Sequence, residues 1–161
     1  MEFTFTVKKL TENDVPEMLK LCQGNPLYYK HMKICPTSEN LKESMTALPS
    51  GKREADKYFV GFYDGNQLAA ILDLILHFPN PQTAFIGWFI IAKEYQHQGT
   101  GSALVEEILS KLKHNNFSKV RLGYIKTNPQ SRRFWEKNGF TPTGVESREE
   151  QYTVVIMEKI L

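Results

Sequence analysis

The fifteen residues YQHQGTGSALVEEIL, Tyr95 to Leu109, set two glycines directly ahead of a helix with an apolar stripe. Leu104, Val105, Ile108, Leu109 and, just beyond, Leu112 recur on one helical face, and Glu107 and Lys111 form an i, i+4 pair on the other. A helix N-terminus carries about half a positive charge, and its first N–H groups have no internal partner. Gly99 and Gly101 let an anion reach that backbone without interference from a Cβ. A nucleotide P-loop needs Gly-Lys-Ser/Thr, and Gly101-Ser102 lacks the lysine. A dinucleotide loop needs a third glycine, where this chain has Leu104, and an acidic residue at the end of the following strand, where it reads VRLGYIK. Two readings survive: an anion site of another kind, or a strand-to-helix turn with no ligand.

The flanking sequence supplies the rest of a sheet. KYFVGFYD (57–64), the turn DGN and QLAAILDLILHF (67–78) read as a hairpin, because Asp-Gly and Gly-Asn favour tight reversals. TAFIGWFIIA (83–92) is nearly continuous in apolar residues, as a strand covered on both faces would be, and Gly87 inside it predicts a bulge or a close backbone approach. SKVRLGYIK (118–126) is the next strand. Asn128 before Pro129 then predicts a capped helix over PQSRRFWEKN that stops at Gly139, and FTPTGV and QYTVVIMEKIL close the chain as strands. At the front, Phe3, Phe5 and Val7 share one side of a short strand, Thr11 with Asp14 starts a helix, and Val15, Met18, Leu19 and Cys22 form its stripe until Gly24 and Pro26. Two short helices, around LYYKHMKI and SENLKESMTAL, and the loop PSGKREAD fill the interval to Asp56. The expected architecture is a single α/β (α+β) domain, residues 1–161, on a mixed, mainly antiparallel sheet.

Composition bounds the function. With 41% hydrophobic and 24% charged residues the chain has an ordinary globular make-up, and a formal net charge of +2 gives no basis for a nucleic-acid partner. Any anion site must therefore be local. MEFTFTVKKL is not a secretory leader and no apolar run approaches a membrane span, so neither export nor a membrane is expected. Cys22 and Cys35 show no metal-ligand spacing; two reduced thiols, no metal and a cytoplasmic setting are the expectation.

QHQGTG, Gln96 to Gly101, resembles the Q/R-x-x-G-x-G/A acetyl-CoA loop of the GNAT superfamily of N-acetyltransferases. NPQSRRFWEKNGF, Asn128 to Phe140, is similar to the family's N-x-x-A/S-x-x-F/L-Y/W-x-K-x-G-F segment, with Asn128, Ser131, Phe134, Trp135, Lys137, Gly139 and Phe140 in place. The resemblance covers roughly residues 58–161 and implies a GNAT-like sheet of about six to seven strands flanked by helices. It implies acetyl-CoA as cosubstrate, its pantetheine arm beside Phe89, Ile90 and Ile91. Its pyrophosphate would lie on the backbone N–H groups of Gln98, Gly99, Thr100, Gly101 and Ser102. Gln96, Asn128 and Trp135 complete the implied cofactor set, with Asn128 also a helix cap and Trp135 packing on cofactor or core.

Transfer to an amine needs a base, because an amine with a lysine-like pKa of about 10.4 is neutral in only about one molecule in 10³ at pH 7. The family's glutamate position is Phe85 here and its tyrosine position is Trp135, so neither role carries over. Parity along QLAAILDLILHF puts Asp73 and His77 on one side of the strand as candidate bases, and Tyr124 is the candidate acid or acceptor-positioning group. The acceptor, a small-molecule or peptide amine, is not legible, nor is the choice between monomer and homodimer. A non-catalytic acyl-CoA-binding or regulatory domain on the same fold is the alternative that the missing glutamate and tyrosine favour.

Overall fold

The structure, a computed structural model, describes residues 4–161. Within that range seven strands form one sheet: β1 (Thr6–Lys9), β2 (Lys57–Asp64), β3 (Gln67–Ile75), β4 (Thr83–Ile91), β5 (Lys119–Ile125), β6 (Thr141–Arg148) and β7 (Thr153–Ile160). Their spatial order is β1-β2-β3-β4-β5-β7-β6, and every neighbouring pair is antiparallel except β4 and β5. The helices are α1 (Val15–Gln23), α2 (Pro26–Met32), α3 (Ser38–Thr46), α4 (Thr100–His114) and α5 (Pro129–Lys137). The mixed, mainly antiparallel sheet expected from the sequence is what the chain forms.

Each face of the sheet has its own core. On one, α4 supplies Leu104, Val105, Ile108, Leu109 and Leu112, which pack with Ala70, Leu72, Leu74 and Ile86. On the other, Val15, Met18, Leu21 and Cys22 of α1 and Leu41 of α3 pack with Phe59, Ile71 and Ile90. The alternation of β3 is what allows this, since successive side chains leave a strand on opposite faces. Burial of both faces explains why β3 and β4 read as nearly unbroken apolar runs.

Several local expectations shift. Phe3 lies outside the described residues, and β1 begins only at Thr6. A 3₁₀ turn over Glu12–Asp14 precedes α1, with the Asp14 carboxylate accepting the Thr11 N–H at 2.8 Å. Leu21 rather than Leu19 completes the buried stripe of α1, because its helical start at Val15 turns position 21 inward. The strand containing Asp73 ends at Ile75.

Candidate functional site

A cleft opens where β4 and β5 part. The two strands pair from Thr83–Lys119 to Ile86–Leu122 and no further. A bulge causes the parting on the β4 side: the β3 register slips between Asp73, opposite Trp88, and Leu74, opposite Ile86, leaving Gly87 as the extra residue. The slip lets Ile86 and Phe89 face the same core although they are three residues apart. The resulting cavity measures 680 Å³ and is walled by residues 87–91 of β4, residues 122–125 of β5, the start of α4 and the inner face of α5.

The open edge of β4 offers backbone groups in alternation. Ala92 N–H donates to Ala69 C=O at 2.8 Å, and the antiparallel pattern then turns the N–H and C=O of Ile90 onto β3 as well. Phe89 and Ile91 present theirs to the cleft. Ile90 also lines the cleft, but its N–H and C=O are committed to the sheet and its side chain packs in the core beside α1, so of the three expected residues Phe89 and Ile91 are the ones that turn backbone groups outward. The Ile91 carbonyl is also taken, accepting from Asn25 Nδ2 at 3.1 Å and Gln96 Nε2 at 2.9 Å. Gln96 further donates to Asn25 Oδ1 at 2.7 Å, so its side chain braces the loop rather than facing an anion. Asn25→Ala removes the clamp at this junction and is expected to lower unfolding stability by about 1–3 kcal/mol, read as the urea midpoint.

The start of α4 faces the same cavity. Gly99, the residue before the helix, has φ +80°, a conformation that a β-branched residue resists, and a Cβ built there meets nothing within 4 Å. A Cβ on Gly101 would instead lie 3.0 Å from the Phe134 ring. The first return bond of the helix is Ala103 N–H to Gly99 C=O, so the N–H groups of Thr100, Gly101 and Ser102 have no partner within it. Side chains contribute little: Gln98 Nε2 is bound to Glu94 C=O at 2.6 Å, Thr100 lies outside the lining, and Ser102 Oγ accepts from Asn138 at 3.2 Å. Backbone donors over open space suit a diphosphate.

Asn128, 3% exposed, caps α5 by accepting Ser131 N–H at 3.2 Å and also lines the cleft. Trp135 is buried against Phe140, with ring centroids 5.2 Å apart, while Phe134 stacks on Phe89 at 6.3 Å. Phe134 was legible as part of the FW pair but not as a cleft wall. Asn25, Tyr28 and Trp88 also line the cleft, and nothing in their local sequence marks them.

The candidate acid–base groups separate. Tyr124 of β5 stands in the cleft wall. Asp73 lies behind β4, on the face covered by α1 to α3, where the Lys57 ammonium is 3.1 Å from its Oδ1 and donates to Oδ2 at 3.2 Å. Burial pushes the Asp73 carboxyl above its ordinary range, and Lys57 pulls it partly back. The carboxylate rests on the bulge: a Cβ on Gly87 would come within 3.1 Å of Oδ2. Gly87 itself lines the cleft, so a single backbone residue separates carboxylate from cavity. His77 is not on the side of Asp73. The chain has left β3, His77 adopts φ +55°, and its ring lies 4.9 Å from Phe117 in the opposite core, with Nδ1 2.6 Å from Pro81 C=O. Strand parity fails there because the strand has ended. Among the described residues no group of His, Cys, Asp and Glu side chains is placed to hold a metal, and no helix is long and apolar enough to cross a membrane.

Residues 26–140 match the family described as Acetyltransferase (GNAT) family. The fold is similar to that of an acetyltransferase from Thermus thermophilus, at 19% identity over 99% of this chain and 98% of that one, with a TM-score of 0.79. It is also similar to the PaiA N-acetyltransferase from Thermoplasma acidophilum in complex with coenzyme A, at 19% identity over 99% and 100% of the two chains, with a TM-score of 0.69. A ribosomal-protein-alanine N-acetyltransferase from Brucella melitensis aligns at 15% identity over 97% and 99%, with a TM-score of 0.67. A comparison with curated proteins finds no match.

Proposed function

Since the chain belongs to the GNAT acetyltransferase family, by the match over residues 26–140, we propose that it moves an acetyl group from acetyl-CoA directly to a primary amine. The observation that carries this reading is the cleft itself: a β4 edge with unpaired backbone groups runs toward the unpartnered N–H groups of α4. The Phe89 and Ile91 edge takes the pantetheine arm as an added strand would lie, and the backbone from Gln98 to Ser102 receives the pyrophosphate. Backbone donors also explain how a chain of net charge +2 accommodates so anionic a cosubstrate.

Asp73 is the base in this reading. The acceptor ammonium gives one proton to the carboxylate, directly or through a water, across the Gly87 bulge. The freed amine attacks the thioester carbonyl carbon; the C–N bond forms, the C–S bond breaks, and the thiolate leaves. An N–H on the open β4 edge faces the carbonyl oxygen, where charge develops. Tyr124 provides a hydroxyl for the leaving sulfur or the acceptor. The second proton of the attacking nitrogen ends on the thiol.

Thiol release from acetyl-CoA in the presence of mixed amines tests the reading. Release that tracks formation of acetylated amine supports it, whereas acetyl-CoA that binds and is never turned over favours the non-catalytic alternative. The pH profile tests the base. Lys57→Met removes the ammonium that holds the Asp73 carboxyl down, so the acid limb of kcat/KM is expected to move to higher pH. An unmoved limb, or one moved to lower pH, would assign it to another group.

A further inference from the structure

Behind the Gly87 bulge lies a second cavity, of 180 Å³, a partly open recess between the sheet and the arm formed by α2 and α3. It shares Tyr28, Gly87 and Trp88 with the cofactor cleft, so the two meet at the bulge. Its walls are aromatic and aliphatic, chiefly Tyr28, Tyr29, Met32, Leu41 and Trp88. The polar groups in it are few and mostly engaged. Asn40 Oδ1 accepts from the Thr37 hydroxyl, and Ser44 Oγ donates to Asn40 C=O at 3.0 Å. Asp73 is the exception. Lys57 directs hydrogen bonds to Ala47 C=O, at 2.6 Å, and to Asp73 Oδ2, which leaves Asp73 Oδ1 buried and without a hydrogen bond.

We propose that this cavity selects the acceptor as a small free amine with one ammonium group and one compact apolar or aryl body. The assignment rests on the acetyltransferase reading above and specifies the substrate of that site. The nitrogen sits at the bulge, where Asp73 Oδ1, 3.1 Å from the Lys57 ammonium but without a hydrogen bond of its own, meets the start of the cofactor cleft. The body fills the aromatic cavity beyond.

Three features fix the class. The first is size: at 180 Å³ the cavity has room for a branched alkyl chain or a phenyl ring but is small for an oligosaccharide. The second is charge. Asp73 is the only carboxylate among the lining residues and shares its charge with Lys57, so the site suits one nitrogen that gives up a proton to that carboxylate, and a second ammonium would be buried without a counter-charge. The third is the fixing of the arm. His31 on α2 is joined to Thr127, beyond β5, by a 3.0 Å hydrogen bond between Nδ1 and Oγ1, which holds the α2 wall of the cavity against the body of the fold.

The test is a panel of amines at saturating acetyl-CoA: ethylamine, propylamine, butylamine, 3-methylbutylamine, 2-phenylethylamine, spermidine, kanamycin and a hexapeptide with N-terminal leucine. From ethylamine to butylamine, kcat/KM is expected to rise about fourfold per methylene, the equivalent of about 0.8 kcal/mol each. Spermidine, kanamycin and the peptide are expected to fall below butylamine. Saturation-transfer NMR with coenzyme A present should show contact between protein and the methyl groups of 3-methylbutylamine, independently of turnover. Met32→Trp, which narrows the cavity from α2, should abolish that transfer and the advantage of the larger amines over ethylamine. A flat alkyl series, or preference for spermidine, kanamycin or the peptide, would overturn the assignment while acetyl-CoA still raises Tm and the family reading stands. If acetyl-CoA does not raise Tm at all, the underlying reading falls and the assignment with it.

Discussion

Asp73→Asn is expected to lower kcat/KM about 10²- to 10⁴-fold, the range a positioned general base supplies, while acetyl-CoA affinity stays unchanged. Asparagine keeps the size of the side chain on the Gly87 bulge but cannot take the proton of an ammonium. The remaining activity should lose its acid limb and rise with pH as the free amine becomes neutral in solution. A variant with full activity and an unshifted profile would show that Asp73 is structural. The same residue links stability to pH. Its folded carboxyl titrates above the ordinary carboxylate range because of burial. Between those two values the native state holds more protons than the unfolded chain, so stability falls as pH rises through that window. Asp73→Asn should flatten this dependence in urea titrations at successive pH values.

Gly99→Val is expected to abolish the rise in Tm that acetyl-CoA produces. Two effects act together. A β-branched residue at φ +80° strains the turn by about 1–2 kcal/mol, which lowers stability without ligand. The added side chain also enters the open space before α4, where a phosphate would approach the N–H groups. Calorimetric titration separates them: strain alone changes the apo midpoint and leaves affinity intact, and that result would remove the pyrophosphate from this loop. The Gly99 position is informative because no protein atom lies within 4 Å of the new Cβ, so lost affinity cannot be blamed on a clash with the fold.

How much of this was legible depended on whether an interaction was local. The α4 and α5 helices were readable because stripe, cap and stop are all written within a few residues, as with Asn128, whose side chain binds the N–H three positions on. The mixed, mainly antiparallel character of the sheet came from hairpin turns and the family resemblance together, whereas the order β5-β7-β6 rests on long-range pairing that no local turn encodes. The glycine turn ahead of α4 was legible for the same reason as the helices, being one turn joined to one helix. The finer partition of the cleft was not. That Ile90 faces β3 and Phe89 the cleft depends on hydrogen-bond phase, which only the pairing with Ala69–Leu72 sets. Gln96 belongs to the cofactor motif, yet its amide is consumed by Asn25 and Ile91, one of them 71 residues away.

The surroundings of the candidate acid–base residues were the least legible. Parity placed Asp73 on a defined face of the strand but misled at His77, because the end of β3 at Ile75 is decided by tertiary pairing and not by the apolar run. Lys57, which shapes the Asp73 carboxyl, lies 16 residues earlier in the chain on the neighbouring strand, and its own sequence gives no sign of a buried ion pair. The acceptor side was illegible because α2 and α3 contribute single residues to a wall, with no motif among them.

The central claim is that the parted β4–β5 cleft performs acetyl transfer to an amine. Acetyl-CoA carrying ¹³C in the acetyl carbonyl, incubated with the protein and 3-methylbutylamine, tests it in one NMR time course. The account requires the thioester resonance to decline and an amide resonance to grow in its place, one free thiol appearing for each amide. A thioester signal that persists while acetyl-CoA is bound, with this amine and with every other member of the panel, would contradict it.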